Sequence, residues 1–171
     1  MSGAATLRGE GGAGGELLGL IRKAARSAAA GESTEAFAAA LGLQRGVSGY
    51  VNHTVPVVMH AVLATPRDFR AAVVSVIRCG GDADTTGAIA GAIVGAGVGE
   101  EGIPSVWLDR LAEWPRTVPW MKRLGQRLAA ALRDRSPQAA LPLSPLRLAV
   151  RNFFFMLVVL AHGVRRLFPP Y

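Results

Sequence analysis

The sequence predicts an all-α protein, and three observations support that prediction. Half of the 171 residues are hydrophobic but only 6% are aromatic, and glycine occurs 21 times. Small residues suit closely packed helices, whereas strands favour β-branched and aromatic side chains. Apolar residues recur at intervals of three and four along several segments, as they do on one face of a helix. A chain of this length can bury the core of one domain.

The N-terminal region predicts a leader followed by two helices. Residues 1–15 are rich in glycine and alanine and lack the apolar stretch of a secretory signal, so we expect a flexible leader. Residues 16–30 have the spacing of an amphipathic helix. A second helix is expected over residues 35–41, with Ser33 or Thr34 as its cap.

Two further helices are expected, one within residues 51–64 and one over residues 68–79. The first segment is mostly apolar, with Pro56 inside it. Because proline is tolerated in a first helical turn, we expect the regular helix to begin near Thr54 as its cap. Residues 68–79 have one apolar face and predict an amphipathic helix.

A glycine stripe marks the next helix, which we expect over residues 86–98. Glycine costs a helix about 1 kcal/mol relative to alanine. Residues four positions apart share a helix face, so another helix is expected to pack close to this backbone. We therefore expect a central and buried helix. The stripe consists of Gly87, Gly91, Gly95 and Gly99.

The C-terminal third predicts helices over residues 105–113 and 118–134, and a last helix over residues 146–167. Residues 136–145 contain three prolines and are expected to form a linker. The predicted domain organisation follows from these elements. It comprises the leader, a domain over residues 16–135, the Pro-rich linker and a basic-flanked apolar terminal helix over residues 146–171.

Positive charge is concentrated at the C-terminal end. The formal net charge is +7, and residues 116–171 hold ten basic and one acidic side chains. Such a tail suggests an anionic partner, either a phosphate, an acidic protein or a weakly bound membrane surface; alternatively, the arginines only keep apolar helices soluble. We predict no binding of nucleic acid apart from contacts of this tail.

The apolar part of the tail bears on localisation. Its uninterrupted run, residues 153–161, is shorter than the roughly 18–20 residues of a spanning helix, so we expect a buried terminal helix in preference to a shallow interfacial anchor. The single cysteine, Cys79, excludes a disulfide within the chain and favours a reducing compartment. The expected localisation is cytoplasmic, with membrane-peripheral association left open.

The segment Gly-Gly-Asp-Ala-Asp-Thr, residues 80–85, departs from the helical pattern. Asp82, Asp84 and Thr85 place three hard oxygen donors at the start of a helix, and oxygen donors alone favour Mg²⁺, Mn²⁺ or Ca²⁺. The alternative is structural: Asp84 or Thr85 could cap the helix, and Asp82 could interact with its dipole. The spacing leaves both interpretations open.

The run GGDADTTGAIAGAIVGAGVGEEGIPSVWLDRL resembles the ADP-ribosylglycohydrolase family, which includes dinitrogenase reductase-activating glycohydrolase and J1 crystallins. In that family a Gly-Gly-Asp-x-Asp-Thr loop precedes a small-residue helix, an Ile-Pro step and a Trp-bearing helix. Upstream, the order Gly49-Tyr50-Val51 and His53-Thr54 is similar as well. The resemblance covers residues 45–130 and implies a multi-helix orthogonal bundle, of which this chain would hold the C-terminal part.

The resemblance also implies an activity and a site. Members hydrolyse the bond between the ribose C1″ of ADP-ribose and a protein side chain or small acceptor, using two divalent ions, Mg²⁺ or Mn²⁺. Position by position, Asp82, Asp84 and Thr85 match the family's C-terminal metal ligands. Gly49 and Tyr50 would line the substrate site. No catalytic residue beyond these ligands is implied, and the expected partner is an ADP-ribosylated protein or an ADP-ribose derivative.

The family's N-terminal Thr-Asp-Asp motif has no counterpart in this sequence. The chain is therefore expected to supply half of a binuclear site. It would be a truncated gene product, a split subunit with a complementing N-terminal subunit, or a degenerate relative. Two alternatives remain open: a non-catalytic member of the crystallin J1 kind, and a membrane- or partner-docking module that acts through residues 147–166.

Overall fold

The computed structural model describes residues 13–168, and over that range the chain is all-α, as predicted. It forms eight α-helices and one 3₁₀ turn and contains no strand there. The helices are α1 (Ala13–Ala29), α2 (Thr34–Ala40), α3 (Val51–Ala64), α4 (Phe69–Arg78), α5 (Ala83–Val98), α6 (Ser105–Asp109), α7 (Val118–Asp134) and α8 (Pro145–Arg165), with the 3₁₀ turn at Glu100–Gly102.

The chain divides into two compact units, one ending at Ser105 and the other beginning at Val106. In the first unit α3 is the central helix, since α1, α2, α4 and α5 all pack against it. Its buried face contributes Val57, Val58 and Ala61 to the core, where they join apolar side chains of the neighbouring helices. The core therefore lies around α3.

Helix α3 begins three residues earlier than predicted. Its first residue is Val51, and the backbone N–H groups of His53 and Thr54 donate to the Tyr50 carbonyl. The Thr54 hydroxyl donates to the Ser48 carbonyl at 2.9 Å, so it does not cap the helix. A complete turn forms before Pro56, so the proline lies inside the helix, where it is buried and cannot donate the hydrogen bond that other residues make four positions back.

Helix α5 also differs from the prediction, in both its start and its burial. It begins at Ala83, so the acidic segment forms its first turn. It is buried along one face only, while Ile89 and Ile93 on the other side are 36% and 42% exposed. The expectation of a central, buried helix is wrong, because α3 and α4 cover one side and leave the other to solvent.

The glycine stripe nevertheless makes the close helix contact that its spacing predicts. A Cβ placed on Gly91 would stand 3.5 Å from side-chain atoms of Phe69 and Val73 in α4. One placed on Gly95 would stand 3.3 Å from the Phe69 ring. The apolar face of α4 thus packs directly on the α5 backbone.

Several other boundaries differ by a few residues. Helix α1 already begins at Ala13, so the end of the predicted leader is helical, while residues 1–12 lie outside the described part of the chain. Helix α6 ends at Asp109, four residues before its predicted end. Helix α7 has the predicted bounds, and residues 136–144 form no helix.

Helix α8 is not the buried terminal helix that the sequence suggests. Eight consecutive side chains, from Phe153 to Leu160, are each between 45% and 61% exposed. No residue of α8 is buried. The apolar pattern predicts the helix itself, but burial depends on neighbouring elements, and none in the second unit covers these residues.

Candidate functional site

The Gly-Gly-Asp segment is fastened to the loop that precedes α3. The Val47 N–H donates to the Gly80 carbonyl at 3.1 Å, and the Asp82 N–H donates to the Val47 carbonyl at 2.6 Å. Val47 and Gly81 form an isolated parallel bridge through this pairing. The two loops are held together immediately before the first turn of α5.

Glycine is required where these two backbones meet. Gly81 has a φ of 75°, and a Cβ placed on it would overlap backbone atoms of Val47. Gly46, on the opposing loop, has a φ of 113°, and its Cβ would stand 2.6 Å from the Gly81 nitrogen. L-residues rarely adopt positive φ angles of this size, and neither position has space for a side chain. The second glycine of the motif thus permits the contact.

Asp82 lies at the N-cap position of α5, but its side chain forms no capping hydrogen bond. The carboxylate is directed towards the preceding loop, where a Cβ placed on Gly49 would stand only 2.9 Å from Asp82 Oδ2. The side chain is partly buried. Its oxygen atoms therefore do not cap the first turn of α5.

Asp84 brings a second carboxyl group to the first. A hydrogen bond with the Asp82 side chain lowers the pKa of Asp84, and the backbone amides of Thr85 and of Asp84 itself act in the same direction. Asp84 is exposed to solvent, as is Thr85. Two neighbouring carboxylates repel each other unless a proton or a cation lies between them. The turn therefore concentrates negative charge at one exposed point.

The donor set fits part of a hard-cation site. Carboxylate and hydroxyl oxygens of Asp82, Asp84 and Thr85 are the ligand types that Mg²⁺ and Mn²⁺ prefer. Within residues 13–168, no group of three or more His, Cys, Asp or Glu side chains is placed to hold a metal ion. Three donors would leave about half of an octahedral shell to water or to another molecule.

A polar cluster adjoins Gly49. Tyr50 is 56% exposed, and its ring meets that of His53 edge to face with centroids 5.3 Å apart. The Ser48 hydroxyl lies 2.8 Å from His53 Nδ1 and accepts from the Tyr50 N–H at 3.2 Å. Gly49 thus lies beside the Asp82 carboxylate, and Tyr50 follows it in the chain. Ser48 was not among the predicted site residues, although the polar run Ser-Gly-Tyr-Val-Asn-His-Thr was a signal for it.

His60 carries a second polar network, in the core. It is fully buried and stacks on Phe37, with ring centroids 4.7 Å apart. Its Nε2 lies 3.1 Å from the Ser27 hydroxyl and its Nδ1 3.1 Å from that of Thr34. Ser27 in turn donates to the Glu32 carboxylate. This residue links α1 and the start of α2 to α3.

Burial keeps the His60 ring neutral. Burial lowers the pKa of His60, and the nearby carboxylates of Glu32 and Glu35 oppose that effect without reversing it. Because Ser27 donates its one hydroxyl hydrogen to Glu32, its oxygen can accept from His60 Nε2–H. Nδ1 is then the acceptor for the Thr34 hydroxyl. The network is satisfied without a charge on the ring.

Cys79 is held in an unreactive form. Burial, with a smaller effect from the Glu35 charge, raises the pKa of its thiol to about 11. Its Sγ lies 3.4 Å from the Ser75 carbonyl oxygen, to which the thiol donates. Since the thiolate is the nucleophile, this cysteine is poorly suited to covalent catalysis.

Comparisons with known proteins support the resemblance that the motifs indicate. A family model described as ADP-ribosylglycohydrolase matches residues 3–138. The protein named ADP-ribosyl-[dinitrogen reductase] glycohydrolase from Rhodospirillum rubrum is 42% identical over 64 residues. The aligned segment covers 37% of this chain and 21% of that relative. No solved structure matches the chain.

Proposed function

The chain belongs to the ADP-ribosylglycohydrolase family, and from that premise we propose that it supplies part of a metal-dependent centre that hydrolyses an ADP-ribose linkage. The proposed substrate is a protein with an ADP-ribosylated side chain, or an ADP-ribose derivative. The relative from Rhodospirillum rubrum is named for activity of this kind. Because only 21% of that relative is matched, the complete activity is part of the proposal.

The convergence of Asp82 and Asp84 is the observation that carries this proposal. The two side chains interact in the first turn of α5, where Asp82 lowers the pKa of the exposed Asp84 carboxyl group. The glycine-dependent pairing with Val47 fixes the backbone immediately before that turn. If the two aspartates served only to cap α5, their side chains would not need to interact, and Asp82 would be expected to form a capping hydrogen bond. Binding of a cation explains both observations.

In this proposal Asp82, Asp84 and Thr85 would hold Mg²⁺ or Mn²⁺. When bound, such an ion supplies positive charge that polarises substrate oxygens and lowers the pKa of water. Asp82 is positioned by its contact with Gly49, whereas Asp84 is exposed and can also accept a hydrogen bond from a ribose hydroxyl. Tyr50, more than half exposed, offers a ring edge and a hydroxyl to the substrate beside them.

A complementing polypeptide is the partner that this arrangement favours. The site needs further oxygen donors, and the helix that carries it presents an apolar side to solvent. That side holds Ile89 and Ile93, one and two turns beyond Thr85. A helical segment with acidic ligands, packed along α5, would cover these residues and add donors at the first turn.

Titration with Mn²⁺ tests the proposed site directly. The paramagnetic signal of free Mn²⁺ is measured as the full chain is added, and the wild type is compared with the Asp82→Ala/Asp84→Ala variant. The matched control is Glu100→Ala/Glu101→Ala, which removes the same charge beyond the other end of α5. Circular dichroism checks that each variant keeps its helices.

We expect weak binding by the wild type, with a dissociation constant of about 10⁻⁴ M or weaker because the ligand set is partial. The Asp82/Asp84 variant should lose that binding, and the glutamate control should keep it. Equal binding by all three proteins would contradict the proposal. Binding without release of ADP-ribose, even with a complementing family segment present, would instead favour a non-catalytic member of the crystallin J1 kind.

A further inference from the structure

Helix α8 is apolar and solvent-exposed around its whole circumference. The eight exposed side chains from Phe153 to Leu160 follow one another in sequence. At 3.6 residues per turn, they cover every direction around the helix axis more than once. A helix that is hydrophobic all round belongs in a protein core or in a membrane. The second unit provides no such core for it.

The dimensions of α8 suit a lipid environment. Among residues 13–168 it is the one helix long and apolar enough to cross a membrane by length and composition. Its 21 residues extend about 31 Å, close to the roughly 30 Å thickness of bilayer hydrocarbon. The helix lies far from the N-terminus and none of its apolar window is buried. The second unit therefore does not enclose α8 as a core helix.

Charge at both ends of α8 identifies the kind of lipid. Arginines flank the apolar segment, and no acidic residue occurs between positions 145 and 168. The flanking residues are Arg147, Arg151, Arg165 and Arg166. Anionic headgroups attract basic residues at a membrane surface, and long arginine side chains can reach headgroups from helix ends.

Arg151 defines where the apolar segment begins. Its guanidinium donates to both carboxylate oxygens of Glu113, at 3.0 and 3.1 Å, and lies over the Phe155 ring, 5.4 Å from its centroid. This ion pair belongs at a polar boundary. The segment beyond it, residues 152–164, has 13 residues and a length of about 20 Å, which exceeds the hydrocarbon of one leaflet, about 15 Å.

We infer that α8 is a membrane-inserting helix, with residues 152–164 in the hydrocarbon of an anionic bilayer and the arginines among its headgroups. A protein partner that packs on one side would leave the opposite apolar side in water. A second copy of the chain would likewise cover a single stripe. Lipid surrounds the helix, as its uniform exposure requires.

Vesicle flotation with the purified full chain tests this inference. Vesicles of phosphatidylcholine alone are compared with vesicles that also contain phosphatidylglycerol. The variant Phe154→Asp/Leu157→Asp places two charges on the exposed apolar segment, where neither substitution disturbs a core. The control Leu128→Asp/Leu132→Asp changes two leucines of α7 that are 61% and 72% exposed. Circular dichroism verifies the helical content of both.

We expect the wild type to float with the anionic vesicles and the α8 variant to bind them more than about tenfold less, since an acidic side chain is costly in hydrocarbon. The α7 control should float like the wild type. Arg165→Gln/Arg166→Gln should reduce binding to anionic vesicles by roughly tenfold while binding to neutral vesicles stays the same.

Salt distinguishes insertion from surface attraction. At about 1 M salt the Debye length is about 3 Å, so binding through charge alone is released, whereas an inserted helix remains bound. Release of all protein at high salt would overturn the inference. So would a wild-type chain that stays unbound to either vesicle, or that forms a soluble oligomer dispersed by the α8 substitutions, because α8 would then be covered by protein.

Discussion

The Asp82 carboxylate rests against the backbone of Gly49, so closely that a Cβ placed on this glycine would stand 2.9 Å from Asp82 Oδ2. Two segments that are 33 positions apart in the sequence thus meet at the proposed ligand. Gly49 contributes to this contact because it has no side chain. The side chain of Asp82 can adopt its position only because nothing projects from position 49.

The variant Gly49→Ala should weaken Mn²⁺ binding with little effect on stability. The added methyl group meets a flexible carboxylate, which can move at small cost, but the moved oxygen no longer faces Asp84. Residues that orient a ligand typically contribute tenfold or more to metal affinity, so we expect a loss of roughly tenfold. The manganese titration described above measures the loss of affinity, and the midpoint of thermal unfolding measures the change in stability.

Gly97→Ala is the control for that measurement, because it makes the same substitution within α5 where no atom lies within 4 Å. It should leave affinity unchanged and raise stability slightly through helix propensity. If the two alanine variants bind manganese equally, the contact between Gly49 and Asp82 does not position a ligand.

The substitution Gly81→Ala should be far more damaging than Gly99→Ala. Both glycines have positive φ, 75° and 69°, so each alanine variant pays a conformational cost of about 1–2 kcal/mol. Only the Cβ at position 81 would also overlap a backbone, that of Val47, whereas position 99 has open space. We expect Gly81→Ala to lower the free energy of unfolding by at least about 1 kcal/mol more, as urea denaturation would show. Similar values for the two variants would contradict the importance of the bridge.

The part of the fold that the sequence predicts well is the part that local physics determines. The glycine stripe of α5 and the apolar face of α4 are periodic patterns within single helices, and the two do pack together. The start of α3 could not be located in the same way. It depends on the hydrogen bond from Thr54 to Ser48, which forms only once the preceding loop has folded back.

The site was predictable in its residues but not in its arrangement. Motif order identified Asp82 and Asp84, yet nothing local shows that one carboxylate contacts a loop 33 positions earlier. For a related reason, the sequence does not predict correctly how much of α5 and α8 is buried. An apolar pattern indicates that a helix surface has to be shielded from water. It does not indicate whether another part of the chain, a lipid or a partner protein shields that surface.

Cys79 should react slowly with alkylating reagents in the folded protein. With a thiol pKa of about 11 against an ordinary value of 9.0, the folded chain holds about a hundredfold less thiolate near pH 8 than the unfolded chain. Iodoacetamide labelling, followed by mass spectrometry with and without urea, measures the ratio. If Cys79 were labelled nearly as fast in the folded protein as in urea, the burial of this side chain would be contradicted.

Stability should depend on pH through His60. Its pKa is lowered in the folded state, so between the folded value and the ordinary 6.5 the unfolded chain binds the extra proton. The stabilisation is therefore complete above about pH 6.5 and declines as the pH falls, by at most about 1.4 kcal/mol per pH unit. Protonation would force the Thr34 hydroxyl to turn from donor to acceptor and would bury a cation.

Urea denaturation at a series of pH values between about 5 and 7 measures this dependence, a window that lies above the ordinary pKa values of carboxylates. His60→Gln should be less stable at neutral pH, because the stacking on Phe37 is lost, but its stability should change little across the window. His53→Gln retains the buried imidazole and should keep the wild-type slope. If His60→Gln keeps that slope as well, another group is responsible, and the network of Ser27, His60 and Thr34 holds the helices together without sensing pH.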